Sequence, residues 1–449
     1  MIKIILDIQQ AVDTRKLSLQ QWIIFILCFL VILADGIDTG VVGFIAPALL
    51  DDWGITKNDL RPVMSVALIG MAIGAIFAGI LADKIGRKWV IIGSAFIFGV
   101  LTILTGTSNN TTEMVIYRFL TGLGLGAAMP NAATLVSEYM PARRRAWMVN
   151  LLFCALPLGI TIGGVLSAGL LSNHGWKMVL YIGGTIPIVV AFISIFLLKE
   201  SLHFLIKKQG QVEALEIVKN IQGKFIDAKL VPVKSLDTDL NENTTNPVGL
   251  VVGKFFVPSA MMWLCCFMSL LVFYVLTSWM PTLLKESGFT PEQFSLVTAV
   301  FPFGGVAGTI LIGWFMSKFE VNKTITITYF ISAVLFVVTG FLTQNIYLLA
   351  LFIFLAGAGL VGAQSSLPSL AAIFYPAECR GVGVSWMHGL GRFGAIFGAF
   401  FGAYIFTFNL GMNGIFFVLA LPILISALAL YFKGRYSNSK VTIPQTSKA

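Results

Sequence analysis

Asp35 and Asp38 stand three residues apart inside an apolar run that opens at Trp22 and does not give way until Leu50. On a helix that spacing puts both carboxylates on one face. A charged carboxylate in hydrocarbon costs about 2.5–3.5 kcal/mol, so two in one span need a wet cavity, a cationic partner or a bound proton. Two readings remain open at this point: a proton-handling or substrate-facing pair, or a structural acid matched to an arginine elsewhere. Two arginines, Arg118 and Arg392, also fall within apolar runs. Arginine stays charged when desolvated and can grip a carboxylate with two parallel N–H bonds. Asp38 and Arg118 fall at similar depth in their runs, so this pairing is the simplest one. Asp35 would then be the preferred proton carrier, with the roles of the two aspartates exchangeable. His388 lies four residues before Arg392, on the same helical face, and imidazole titrates near neutral pH. It is a candidate proton relay, against the plainer reading of a packed, hydrogen-bonded histidine.

Positioning such groups takes membrane-spanning helices. The chain has 449 residues, of which 57% are hydrophobic and 11% charged, whereas ordinary soluble domains carry about 25% charged residues. A span needs about 20 apolar residues, and twelve runs qualify, near 21–49, 61–82, 88–108, 112–137, 146–171, 176–198, 255–283, 292–317, 323–343, 346–374, 381–408 and 411–432. The first is too long for a signal-peptide core and lacks a small-residue cleavage site. An even span count puts both termini on one side. That side takes 24 of the 30 basic residues, against Lys57, Arg61, Lys177 and Lys285 opposite. The positive-inside rule therefore places both termini in the cytoplasm. The net charge of +9 is thus topological, and no nucleic-acid partner is expected. Five cysteines, in spans or at a cytoplasmic boundary, have neither disulfide nor zinc-ligand placement. Three histidines (His174, His203, His388) in separate regions give no metal site or catalytic triad. Neither an enzyme nor a bound cofactor is expected.

Landmarks recur at a fixed offset. Pro47/Pro281, Gly54/Gly288, Thr56/Thr290 and Gly79/Gly313 are one ordered set, and Gly122/Gly357, Gly124/Gly359, Pro141/Pro376, Arg145/Arg380, Gly159/Gly394 and Gly163/Gly398 are a second, shifted by one residue. Two six-helix bundles related by a parallel repeat follow. The expected organisation is an N-terminal bundle over 1–198, a cytoplasmic connector over 199–253, and a C-terminal bundle with a short tail over 254–449. The connector has a helical pattern from Glu200 to Gly223 and reads as flexible linker at Asn241–Asn246.

The segment joining spans 2 and 3, Gly79-Ile-Leu-Ala-Asp-Lys-Ile-Gly-Arg-Lys88, closely resembles the loop 2–3 signature of the major facilitator superfamily. Asp35-Gly-Ile-Asp38, Arg118-Phe-Leu-Thr-Gly-Leu-Gly-Leu-Gly126 and Gly391-Arg392 further resemble the aromatic acid:proton symporter family. Glu200-Ser-Leu-His-Phe-Leu205 after span 6 is similar to a Glu-Ser-Pro-Arg-Phe-Leu motif of such transporters. The resemblance covers nearly the whole chain. Two departures stand out: Ser317 occupies a position in loop 8–9 that is often Asp, and Ile37 replaces an aromatic between the two aspartates.

The resemblance implies an all-α integral membrane protein with the major facilitator fold, carrying a small aromatic carboxylate such as a hydroxybenzoate inward with a proton. The bilayer and the proton are then its other partners, the plasma membrane (bacterial inner membrane) its location, and a monomer its working form. Arg118 and Arg392 are the candidate carboxylate ligands. Gln364 and Ser365, in a polar patch with Ser366, are candidate contacts to substrate hydroxyls, and Tyr274 to the ring, with Trp386 and Tyr404 as further aromatics. Asp83, Arg87, Glu138, Arg145 and Arg380 read as charge contacts that open and close with a gate. A proton-driven exporter of organic acids or drugs is the nearest rival, since Gly159-Ile-Thr-Ile-Gly-Gly164 resembles an antiporter signature, with Ile160 in place of its proline. Uptake of another organic anion such as muconate, and a receptor on a transporter scaffold, are further alternatives.

Overall fold

The computed structural model describes residues 4–7, 12–13, 17–208, 211–222, 228–231, 247–342, 345–408 and 410–440. The linker expected at Asn241–Asn246 and the end of the C-terminal tail lie outside these described residues. The helices are α1 (Leu19–Trp53), α2 (Lys57–Ile85), α3 (Arg87–Thr107), α4 (Thr111–Tyr139), α5 (Ala142–Phe153), α6 (Ala155–Leu197), α7 (Leu202–Lys207), α8 (Gln211–Gln222) and α9 (Pro247–Val252). They continue as α10 (Phe256–Glu286), α11 (Pro291–Lys318), α12 (Val321–Phe341), α13 (Ile346–Phe374), α14 (Ala377–Ile405) and α15 (Gly411–Lys440).

Among the described residues, 10 helical stretches are long and apolar enough to cross a membrane. The stretch Ala142–Leu197 counts as one of them, at 56 residues. Gly175 breaks it at φ 74°, a left-handed value that glycine adopts without steric penalty. Helix α14, whose middle carries His388 and Arg392, falls outside the set.

The all-α expectation needs one correction. Strand β1 (Ile4–Asp7) pairs in parallel with β2 (Ala228–Val231), Ile4 opposite Ala228 through Asp7 opposite Val231. Four-residue strands carry too little alternation to be read from sequence, and their partner is set by tertiary placement.

The chain forms two compact units. Unit 1 comprises Met1–Val41, Val66–Gly163 and Asn173–Asn243; unit 2 comprises Val42–Ser65, Gly164–Ser172 and Thr244–Ala449. In unit 1 the connector helices do more than lie on a surface. Leu202 and Leu205 of α7 and Ala214, Ile217, Val218 and Ile221 of α8 are buried in one cluster with Ile24, Cys28 and Val31 of α1 and Leu135 and Val136 of α4.

Each unit repeats the same close helix contacts. In unit 1, a Cβ on Gly159 of α6 would strike the Leu33 carbonyl of α1; in unit 2, one on Gly394 of α14 would strike the Phe267 carbonyl of α10. Likewise Gly70 of α2 faces the Phe119 carbonyl of α4, and Gly304 of α11 faces the Phe354 carbonyl of α13. All four contacts sit at positions related by the sequence repeat. Glycine at these crossings lets backbones approach to where van der Waals packing supplies the association energy.

Candidate functional site

Helix α1 carries Asp35 and Asp38, both buried. Arg118 of α4, also buried, points its Nη1 at Asp38, 2.9 Å from each carboxylate oxygen. The hydroxyl of Thr102 on α3 lies against Asp38 Oδ1 and 2.8 Å from the Phe98 carbonyl, so its single proton serves one acceptor at a time. Three helices of unit 1 thus converge on one carboxylate. One turn away, Thr39 Oγ1 donates to Asp35 Oδ1 at 3.2 Å. The two aspartates therefore occupy different surroundings: Asp38 meets a full positive charge, and Asp35 meets a hydroxyl of its own helix. A buried ion pair is close to neutral for stability, because the Coulomb gain offsets desolvation, but removing one partner costs about 3–5 kcal/mol.

A second cluster in unit 1 joins the ends of α2, α3, α4 and α6. Arg87 forms an ion pair with Glu138, whose side chain is 8% exposed. Ser201 Oγ donates to the other Glu138 oxygen at 2.6 Å, and His203 Nδ1 lies 3.5 Å from the first. Glu200 Oε1 accepts from the backbone N–H of Lys88 at 3.1 Å and of Ser201 at 2.8 Å, while the Tyr139 hydroxyl donates to the Glu200 carbonyl. The carboxylate of Glu200 thus sits at the N-terminus of α3, where amide dipoles favour an anion. Gly86, at φ 96°, precedes this helix, and a Cβ there would run into the Glu200 carboxylate. Asp83 is exposed, and its charge acts on Arg87 together with that of Glu200. Arg145 is half-buried at the start of α5.

Unit 2 has the same frame with other chemistry. Lys88 Nζ donates to the Ile195 carbonyl at 2.9 Å, and the repeat-related Asn322 Nδ2 donates to the Leu430 carbonyl at 3.2 Å. Where Arg87 stands in unit 1, unit 2 has Val321. Lys433, buried, donates to Asn322 Oδ1 at 3.2 Å and lies 4.7 Å over the Phe374 ring. Arg380 Nε donates to the Tyr375 carbonyl at 3.4 Å. Ser317 donates within its own turn, to the Trp314 carbonyl.

The remaining candidates also lie in unit 2. Arg392 is half-buried on α14 and His388 is exposed one turn before it. Gln364 and Ser365 of α13 are half-buried, and Ser366 is buried with its hydroxyl on the Gly362 carbonyl. Tyr274 of α10 is half-buried and meets Phe273 edge-on. Trp386 packs on Trp263 with centroids 5.8 Å apart, and Tyr404 lies under the Arg61 guanidinium. Among the described residues no group of three His, Cys, Asp or Glu side chains is placed to hold a metal.

Sequence reasoning missed Thr102, Thr39 and the contacts of Glu200, Ser201 and His203. Thr102 gave no signal, since threonine is common in apolar helices. The Glu200 motif is legible as a resemblance, and a glycine followed by Arg-Lys at a helix start marks an N-terminus open to an anion.

Comparison with known proteins adds the following. The profile of the Major Facilitator Superfamily matches residues 27–290 and 262–448. A 4-hydroxybenzoate transporter, PcaK, of Acinetobacter baylyi is 42% identical over 97% of this chain and 96% of that one. A gallate transporter of Pseudomonas putida is 38% identical over 96% of this chain and 95% of that one. Among solved structures, a D-xylose-proton symporter superposes with a TM-score of 0.68 at 19% identity, covering 91% of this chain and 97% of that one; this likeness concerns the fold alone.

Proposed function

Because the chain belongs to the Major Facilitator Superfamily and groups with its aromatic-acid transporters, we propose that it takes up a small aromatic carboxylate together with a proton. The chain is a multi-pass membrane transporter of this family and not an enzyme. The finer reading is a 4-hydroxybenzoate-like substrate carried by alternating access in a bacterial inner membrane. Twelve crossings in two six-helix bundles, with both termini cytoplasmic, complete it.

The observation that carries the proton half is the unequal setting of two buried aspartates on one helix face. Arg118 sets a full positive charge against Asp38. Asp35 has a hydroxyl donor beside it and is the proton carrier in this reading. Asp35 then loads from outside, travels neutral with the substrate, and releases its proton toward the cytoplasm.

Arg392 is the carboxylate ligand in this reading, with His388 one turn away and Gln364, Ser365 and Tyr274 contacting the substituted ring. Arg118 serves through Asp38. The Arg87–Glu138–Ser201 cluster, with Asp83 and Arg145, supplies the cytoplasmic gating charges of unit 1, and Arg380 is the gating charge of unit 2. Uptake of radiolabelled 4-hydroxybenzoate, gallate and benzoate into proteoliposomes tests the whole. The expected result is accumulation driven by an inward proton gradient and collapsed by a protonophore. Accumulation insensitive to the gradient removes the proton, and no uptake of any of the three removes the substrate class.

A further inference from the structure

Arg61 of α2 is 8% exposed, and among the described residues its guanidinium pairs with no carboxylate. Nη2 donates to the side-chain oxygen of Asn58, the guanidinium carbon lies 3.5 Å from the centroid of the Tyr404 ring, and Nε is buried with no acceptor. Lys57 and Lys285, at the same end of unit 2, are placed differently. Their side chains are 29% and 34% exposed, and each has an acid, Glu286 and Asp51. The charge furthest from water is thus the one without an anion, although burial makes a counter-ion more necessary. A ring face and an amide oxygen offset part of that cost. They leave unmatched the planar fork that suits two carboxylate oxygens.

Tyr404 is also the end of a ladder of rings on α14. It stacks on Phe401 with centroids 5.5 Å apart at 24°, and Phe401 stacks on Phe397 at 5.2 Å and 15°. All three rings are exposed. The ladder runs from Arg61 toward Arg392, which precedes Tyr404 by about 18 Å of helix. Near-parallel rings with a guanidinium at the end match a molecule that is itself a planar ring bearing a carboxylate. The fork takes the anion, and the ring faces take the rest by offset stacking. Tyr404 stands on the last turn of α14, where an exposed side chain has room to turn and uncover the Nε edge of Arg61.

We propose that Arg61 and the Tyr404–Phe401 stack form a second binding site for an aromatic carboxylate, separate from Arg392 and at the end of α14 opposite Arg380. The carboxylate takes the guanidinium fork at its Nε edge, and the ring lies against the stacked rings. The site rests on the uptake of aromatic acids proposed above and deepens it. In the proposed topology it is an outer station, which selects for a flat ring with a negative charge before the substrate reaches Arg392.

The test is equilibrium dialysis of the purified protein in detergent against radiolabelled 4-hydroxybenzoate, where both faces are accessible and no gradient enters. The parent should bind two equivalents per chain. Arg61→Gln should weaken one of them by about 10- to 100-fold, the loss of a charge-assisted bond, and leave the other in place. Arg392→Ala should do the reverse. Arg61→Lys keeps the charge without the fork and should fall between the parent and Arg61→Gln. Tyr404→Leu should weaken the same equivalent by about 2- to 10-fold, and neutral 4-hydroxybenzyl alcohol should not displace it. Thermal unfolding separates binding from folding. A buried guanidinium without an acid adds nothing to stability, so Arg61→Gln should melt no earlier than the parent. A second equivalent that survives Arg61→Gln unchanged, or a variant that melts early and loses both, overturns the site. If the parent binds a single equivalent that Arg392→Ala removes, only the site at Arg61 falls. If the parent binds none, the substrate class proposed above falls with it.

Discussion

Arg118 Nη1 lies 2.9 Å from both carboxylate oxygens of Asp38, inside unit 1 and shielded from solvent. One nitrogen shared between two oxygens is an end-on pair, and Thr102 adds a second donor to the same carboxylate. The pair is therefore a structural commitment as well as a charge balance. Asp38→Asn should lower thermal stability by about 3–5 kcal/mol, because it leaves a guanidinium buried without its anion. Adding Arg118→Gln should recover most of that loss while transport stays abolished, which thermal unfolding in detergent and uptake in proteoliposomes can separate.

Asp35 is the test of proton coupling. Asn at this position copies the neutral acid in shape but cannot cycle a proton. Asp35→Asn should abolish gradient-driven accumulation while sparing exchange of internal for external substrate. Full accumulation by this variant under an imposed pH gradient would refute its role.

Arg392 should matter through geometry as much as charge. A charge-assisted hydrogen bond contributes about 1.5–3 kcal/mol, so Arg392→Ala should raise the half-saturation concentration by about 10- to 100-fold. Arg392→Lys keeps the charge and loses the planar fork, and should fall between the two. A wild-type half-saturation value in Arg392→Ala removes the assignment.

Gly86 holds a backbone conformation at φ 96° that side chains disfavour, with the Glu200 carboxylate where a Cβ would go. Gly86→Ala should destabilise the protein by about 1–3 kcal/mol through the positive-φ, extended-ψ backbone alone. It should also displace Glu200 from the α3 N-terminus. Slowed transport with substrate binding largely retained is the expected signature, read by uptake beside equilibrium binding on purified protein. Loss of binding would place this cluster at the substrate rather than at a gate.

Much of this molecule was legible in the chain. Composition alone sets a membrane protein, because so little charge leaves no way to solvate its surface in water. Periodic prolines and glycines reveal the repeat, since backbone geometry demands them at equivalent turns and crossings. The motif at Gly79–Lys88 and the Asp35–Asp38 pair pointed to family and chemistry, because rare groups in apolar surroundings are informative wherever they stand. What the chain could not fix was which of these groups meet. Asp38 finds Thr102 and Arg118 at separations of 64 and 80 residues, and Glu200 finds Lys88 at 112. Those pairings depend on how helices rotate about their axes when they pack, and helical periodicity is silent on that. The parallel pairing of Ile4–Asp7 with Ala228–Val231 has the same origin. Local residue types decide what an element is, whereas only close packing of distant elements decides which carboxylate receives the arginine and which keeps a hydroxyl.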